Sequence, residues 1–121
     1  MENRKMKAQE KAQEEVQQEI YVVLTSVAEK AQAQAMSAKL IAEKLAACVT
    51  VLPGAQSHYV WQEQLCHETE YILLIKSFTS KWESLQKRIL EIHPYQCPEL
   101  IALPAQAVGQ AYLQWMSQQL S

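Results

Sequence analysis

CVTVLPGAQSHYVWQEQLCHETEYILLIK, residues 48–76, is the stretch whose reading decides the fold. Its first part, 48–52, is β-branched and apolar; Pro53 and Gly54 interrupt it, and 57–61 resumes with Tyr59, Val60 and Trp61. Proline lacks the amide donor that an inner strand uses and glycine admits a bend, so one long strand with a bulge at Pro53-Gly54 is the economical reading. Gln62, Glu63 and Gln64 separate it from 65–76, whose second half contains YILLI. That run is continuously apolar and reads as a central strand covered on both faces. Two long strands so close in sequence form an antiparallel hairpin.

Upstream, residues 20–24 (IYVVL) are short, β-branched and aromatic, and Thr25-Ser26 closes this first strand. Residues 29–47 are rich in Ala, Lys, Glu, Gln and Leu without Gly or Pro. Leu40, Ile41 and Leu45 share one side there, while Lys39 and Glu43 lie away from it, as in an amphipathic helix. Downstream, Trp82, Leu85, Ile89 and Ile92 recur three and four apart, after a Ser80/Glu83 capping-box pair and before the stop at Pro94. A short strand over 98–103 lies between prolines, and Val108, Tyr112, Trp115 and Met116 mark a third helix.

The order βαββαβ plus a final helix contains two strand-helix-strand halves with right-handed crossovers. The fold class is therefore α+β, a ferredoxin-like four-stranded sheet with both main helices on one face. The other face stays bare, and strands such as YILLI then expose an apolar patch large enough to drive self-association.

Composition sets the outer limits. The chain has 121 residues with a net charge of -2, which leaves no electrostatic footprint for nucleic acid. No apolar run approaches the roughly 20 residues of a membrane span, and no apolar segment of a secretion signal follows the early Lys and Arg. Three cysteines, an odd number, suit a reducing compartment rather than a disulfide framework, and a cytoplasmic address is expected. Residues 1–19 carry nine charges and almost nothing apolar to bury, so they read as a disordered tail preceding a domain over 20–121.

Local signals for chemistry are sparse. The histidines stand at 58, 67 and 93, with no HExxH, no CxxC and no pair at helical spacing. Cys66 and His67 are neighbours in a strand, where successive side chains point to opposite faces, so they do not easily share an ion. The only glycines, Gly54 and Gly109, lie in no phosphate-loop pattern. Cys48 reads as a small core residue. The stretch HPYQCPE, 93–99, supports two readings. As a joint, Pro94 stops a helix, a charged His93 favours its C-terminal carbonyls, and Pro98 holds Cys97 extended. As a metal site, it needs a neutral His93 with ligands arriving from elsewhere.

The pieces YVVLTS (21–26), AEKLAACVTVLPGAQSHYVW (42–61), ILLIKS (72–77), HPYQCPELIALP (93–104) and YLQWM (112–116) stand in order. In this combination the chain resembles the CutA family, the divalent cation tolerance proteins. The resemblance implies a ferredoxin-like fold, a homotrimer joined through the long hairpin strands, an association with copper and other divalent cations, no required cofactor and no enzymatic activity. It also implies likeness to the PII signalling proteins, which bind small ligands in clefts between subunits.

The family's copper-ligand positions carry Thr25, Ile92 and His93 here, so His93 is the one retained candidate metal ligand and weak affinity is expected. Glu63 stands where the family commonly has Gly, so a turn with positive φ would be strained there. Lys76, Tyr95 and Glu99 are the implied lining of the inter-subunit cleft, with a salt bridge and a packed phenol as their structural alternative. The leading expectation is a cytoplasmic, trimeric, non-enzymatic protein of divalent metal (copper) tolerance without nucleic-acid or membrane partners. The second is a PII-like module that takes a small anionic ligand on Lys76.

Overall fold

The computed structural model describes residues 19–121. Apart from Glu19, whose carbonyl accepts the Thr79 amide at 2.9 Å, the charged stretch expected as a tail lies outside the described residues. The elements run β1 (Ile20–Val27), α1 (Lys30–Ala42), β2 (Cys48–Trp61), β3 (Gln64–Phe78), α2 (Trp82–Ile92), β4 (Ile101–Pro104) and α3 (Gln110–Leu120). One sheet has the order β2-β3-β1-β4, with every neighbouring pair antiparallel. This is the ferredoxin-like arrangement expected from the βαββαβ order.

Cross-strand partners share a face, and the register therefore sorts the side chains. Val49, Ile75, Val23 and Ala102 are successive partners across all four strands, and Val51 pairs with Leu73. These residues pack with Ala33, Met36 and Leu40 of α1 and Leu85 and Ile89 of α2 into the main core. Each large apolar side chain buried there stabilises the fold by about 1.5–3 kcal/mol. On the opposite face, Met116 and Leu120 of α3 cover only the end near Ile20 and Phe78. Beyond that end the face is apolar and open: Leu52, Ile101 and Leu103 are 46%, 47% and 48% exposed, beside half-buried Val22, Leu24, Ile72 and Leu74.

The hairpin is built as expected, with one refinement. Leu52 pairs with Ile72 and Ala55 with Glu70, so Pro53 and Gly54 together oppose Tyr71. The bulge sits where proline has no amide to lose and where Gly54 adopts φ +77° without a Cβ penalty. Trp61 pairs with Gln64, which makes the loop two residues, Gln62-Glu63, rather than the three expected. Both have positive φ, 50° and 67°, the pattern of a type I′ turn that matches the twist of the strands.

Several element ends differ from the expectation: β1 runs on through Thr25 and Ser26 to Val27, and β3 spans Gln64–Phe78 rather than 65–76. Helix α1 stops at Ala42 rather than 47, because Lys44 turns left-handed at φ 57°. The amides of Lys44 and Leu45 then bond back to the carbonyls of Ile41 and Leu40 at 3.0 and 2.9 Å, a Schellman closure with lysine in the usual glycine position. Ser80 does not cap α2, since a 3₁₀ turn over Thr79–Lys81 precedes the helix and no side chain caps it. Strand β4 begins at Ile101, three residues after the expected start at Pro98.

Candidate functional site

A cavity of about 700 Å³ lies between the hairpin and the 93–99 loop. Cys66, Glu68 and Glu70 reach it from alternate positions of β3, as the two-residue period of a strand requires. Tyr59, the partner of Cys66 on β2, and Trp61 stand on the same face. The loop contributes Tyr95, Cys97 and Glu99. The cavity thus combines carboxylates, thiols and aromatic rings.

The loop is anchored through His93. Its amide closes α2 on the Ile89 carbonyl at 2.8 Å, which fulfils the joint reading of this stretch. Its Nδ1 accepts the Tyr95 amide at 3.0 Å, so the ring proton sits on Nε2 and is donated to the Ser26 carbonyl on β1 at 2.8 Å. The imidazole is buried, and burial lowers its pKa against the opposing effects of the Ser26 bond and the Glu70 charge. His93 is therefore neutral near pH 7, not the charged helix cap expected of it.

Tyr95 in turn donates from its hydroxyl to Glu70 Oε2 at 2.8 Å, on a carboxylate that is 5% exposed. Desolvation first, and this bond second, push the phenol well above its ordinary pKa. Desolvation, with the charge of Glu68 behind it, likewise raises Tyr59. Both phenols are donors, directed at an acidic wall.

The candidate residues separate. Tyr95 and Glu99 share the cavity with His93 at its foot, but Lys76 lies six positions along β3 from Glu70, about 20 Å away at the rise of a strand. Its ammonium donates to Thr50 Oγ1 at 2.5 Å and stands 3.8 Å from Cys48 Sγ. The phenol of Tyr95 is partnered by Glu70, and no Lys76–Glu99 ion pair forms among the described residues. Thr25 is fully buried with no hydrogen-bond partner for Oγ1, and Ile92 packs against the core.

A closed metal centre does not fit these residues within one chain. Both nitrogens of His93 are engaged, so an ion there must displace either Ser26 or Tyr95. Among the described residues, no three or more His, Cys, Asp or Glu side chains converge as a ligand set. Glu68, Glu70, Tyr59 and Trp61 were not singled out from the sequence. The signal that places them is the hairpin register, which a two-residue loop fixes.

Fold and cavity together define a small ferredoxin-like protein with an elongated hairpin and a cavity of carboxylates, thiols and aromatic rings where that hairpin meets the 93–99 loop. The family model described as CutA1 divalent ion tolerance protein matches residues 21–119. The divalent-cation tolerance protein CutA of Yersinia pestis (strain Pestoides F) is 46% identical over 99 residues, covering 82% of this chain and 83% of that protein. Among solved structures, the divalent cation tolerance protein (Cut A1) of Thermus thermophilus aligns with TM-score 0.76 at 38% identity, covering 79% of this chain and 93% of the other. CutA1 from Oryza sativa aligns with TM-score 0.83 at 32% identity, covering 87% and 96%. The chain belongs to the CutA1 divalent ion tolerance protein family.

Proposed function

We propose that the chain serves divalent cation tolerance as a homotrimeric binding protein of the cytoplasm, not as an enzyme, and that its contact with copper through His93 is weak. Membership of the family, over residues 21–119, carries this reading. The open apolar face supports assembly, because side chains such as Leu52, Ile101 and Leu103 gain burial only from another chain. Three free cysteines suit a reducing compartment. No described helix is long and apolar enough to cross a membrane. Weak binding follows from the neutral, doubly bonded His93, which must give up one hydrogen bond for each ion it takes.

One observation favours a second reading. Lys76 is half-buried on the apolar face beside Thr50 and Cys48, with no acidic partner among the described residues. Covered by a neighbouring chain, that ammonium suits a small anion better than a metal ion.

Light scattering should give a mass three times 13.8 kDa, and cells lacking the chain should grow more poorly in copper. Titration with Cu(II) should show weak binding that His93→Ala diminishes. A stable single chain at high concentration removes the assembly, tight binding indifferent to His93→Ala removes the role of His93, and undiminished growth in copper removes the function. A melting temperature raised by small anions but not by copper would favour the second reading.

A further inference from the structure

The hairpin carries a second chemistry on the side chains that alternate with the acidic set. His58 and His67 are direct register partners on β2 and β3. Their rings stack with centroids 4.4 Å apart and an interplanar angle of 6°. His67 Nε2 lies 2.6 Å from Gln56 Oε1, and the Gln56 amide nitrogen donates to Thr69 Oγ1 at 3.1 Å, so a chain of hydrogen bonds orients the His67 ring. With Oε1 as acceptor, the His67 proton sits on Nε2 and its Nδ1 lone pair is left without a partner among the described residues. Both histidines are exposed.

We propose that His58 and His67, the latter oriented by Gln56, form a two-imidazole site for a borderline divalent transition metal such as Ni(II), Cu(II) or Zn(II). Imidazole is the ligand type these ions favour, and oxygen-seeking Mg(II) and Ca(II) are disfavoured. A second ring nitrogen bonded to a side-chain oxygen is the usual support of a ligating histidine, and the Gln56 contact supplies it. Metal–nitrogen bonds of about 2.0–2.1 Å need the two nitrogens roughly 3–3.5 Å apart with their in-plane lone pairs converging, so the parallel rings must rotate about their side-chain torsions to share an ion, a movement open to two exposed side chains. Water completes the coordination. The site needs neither His93 nor the carboxylates of the cavity, and it does not rest on the function proposed above.

The test titrates Ni(II), chosen because it does not oxidise the three thiols, into the untagged full chain, followed by calorimetry and by broadening of the histidine ring resonances. The expected result is one Ni(II) per chain with broadening at His58 and His67, not at His93. His58→Asn and His67→Asn should each weaken binding about tenfold or more, Gln56→Ala should weaken it severalfold, and His93→Ala should leave it unchanged. Circular dichroism checks that each variant keeps the sheet. Binding that survives the His58→Asn/His67→Asn double change, broadening centred on His93, or no binding at millimolar Ni(II) would overturn the proposal. Broadening centred on His93 would support the ligand of the proposed function instead, and none of these outcomes bears on trimer assembly.

Discussion

Replacing Glu63 with glycine should make the protein more stable. Glu63 and Gln62 form the two-residue loop of the hairpin with φ 67° and 50°, where a side chain's Cβ crowds the following carbonyl. That crowding costs about 1–2 kcal/mol per residue relative to glycine. Glycine also loosens the unfolded chain, which returns about 0.5–1 kcal/mol of the gain. The net expectation for Glu63→Gly is a stabilisation of about 0.5–1 kcal/mol per chain, or a melting temperature higher by a few degrees. Glu63→Ala is the discriminating control, since it removes the carboxylate but keeps the Cβ and hence the strain.

Urea unfolding at one fixed chain concentration compares the three proteins without a change in assembly. Hydrogen exchange adds a local measure: amides flanking the loop, at Trp61 and Gln64, should exchange more slowly in Glu63→Gly. If Glu63→Gly is no more stable than Glu63→Ala, strain is not what distinguishes this loop, and the positive-φ argument is wrong.

Three further outcomes follow from the site. Because burial lowers the pKa of His93, the unfolded chain takes up a proton that the folded chain resists, so stability should fall as pH drops below about 6.5 and level off below the folded pKa. His93→Gln should lack that part of the slope in urea unfolding between pH 7 and 5, and an unchanged slope refutes the assignment. Tyr95→Phe leaves the buried Glu70 carboxylate without its donor and should cost about 1.5–3 kcal/mol. Adding Glu70→Leu should restore part of that loss, and strictly additive losses would show the two groups to be uncoupled. Thr25→Val replaces a buried hydroxyl that has no hydrogen-bond partner by a methyl of similar size, so it should be neutral or stabilising by up to about 1 kcal/mol in thermal unfolding. A clear destabilisation would reveal a partner for that hydroxyl.

How much was legible in the sequence follows from what fixes each feature. Hydrophobic period and the two prolines around 98–103 placed the strands and helices, because burial on a sheet face or helix stripe leaves a pattern in one dimension. The end of helix α1 leaves no mark in the sequence, because its stop is Lys44 in a left-handed turn, where no glycine announces it. From its neighbours in sequence His93 reads as a joint or a metal ligand, yet its neutral form comes from burial and its ring proton is held on Nε2 by the Ser26 carbonyl, 67 residues away. Tyr95 and Glu99, expected at a cleft between subunits, line a cavity within one chain, which leaves the inter-subunit cleft as an expectation. Lys76, grouped with them by the family resemblance, lies apart from them within one chain, so the three can meet only across a boundary between chains.

One residue of loop length accounts for most of what the sequence concealed about the site. A three-residue loop over 62–64 would set Trp61 opposite Leu65 and His58 opposite Glu68. The two-residue loop instead opposes His58 to His67 and Tyr59 to Cys66. The bulge at Gly54 adds a second parity change: Cys48, Thr50 and Leu52 before it share a face with Ala55, Ser57, Tyr59 and Trp61 after it. A simple alternation read through β2 therefore assigns half of its side chains to the wrong face. Turn and bulge together sort the hairpin into an acid- and thiol-bearing set that meets the 93–99 loop and an imidazole-bearing set that alternates with it, His58 also reaching the edge of the cavity. The two chemically distinct sets of side chains on one hairpin are thus consequences of register, and their placement depends on Gln62, Glu63 and Gly54 as much as on the residues themselves.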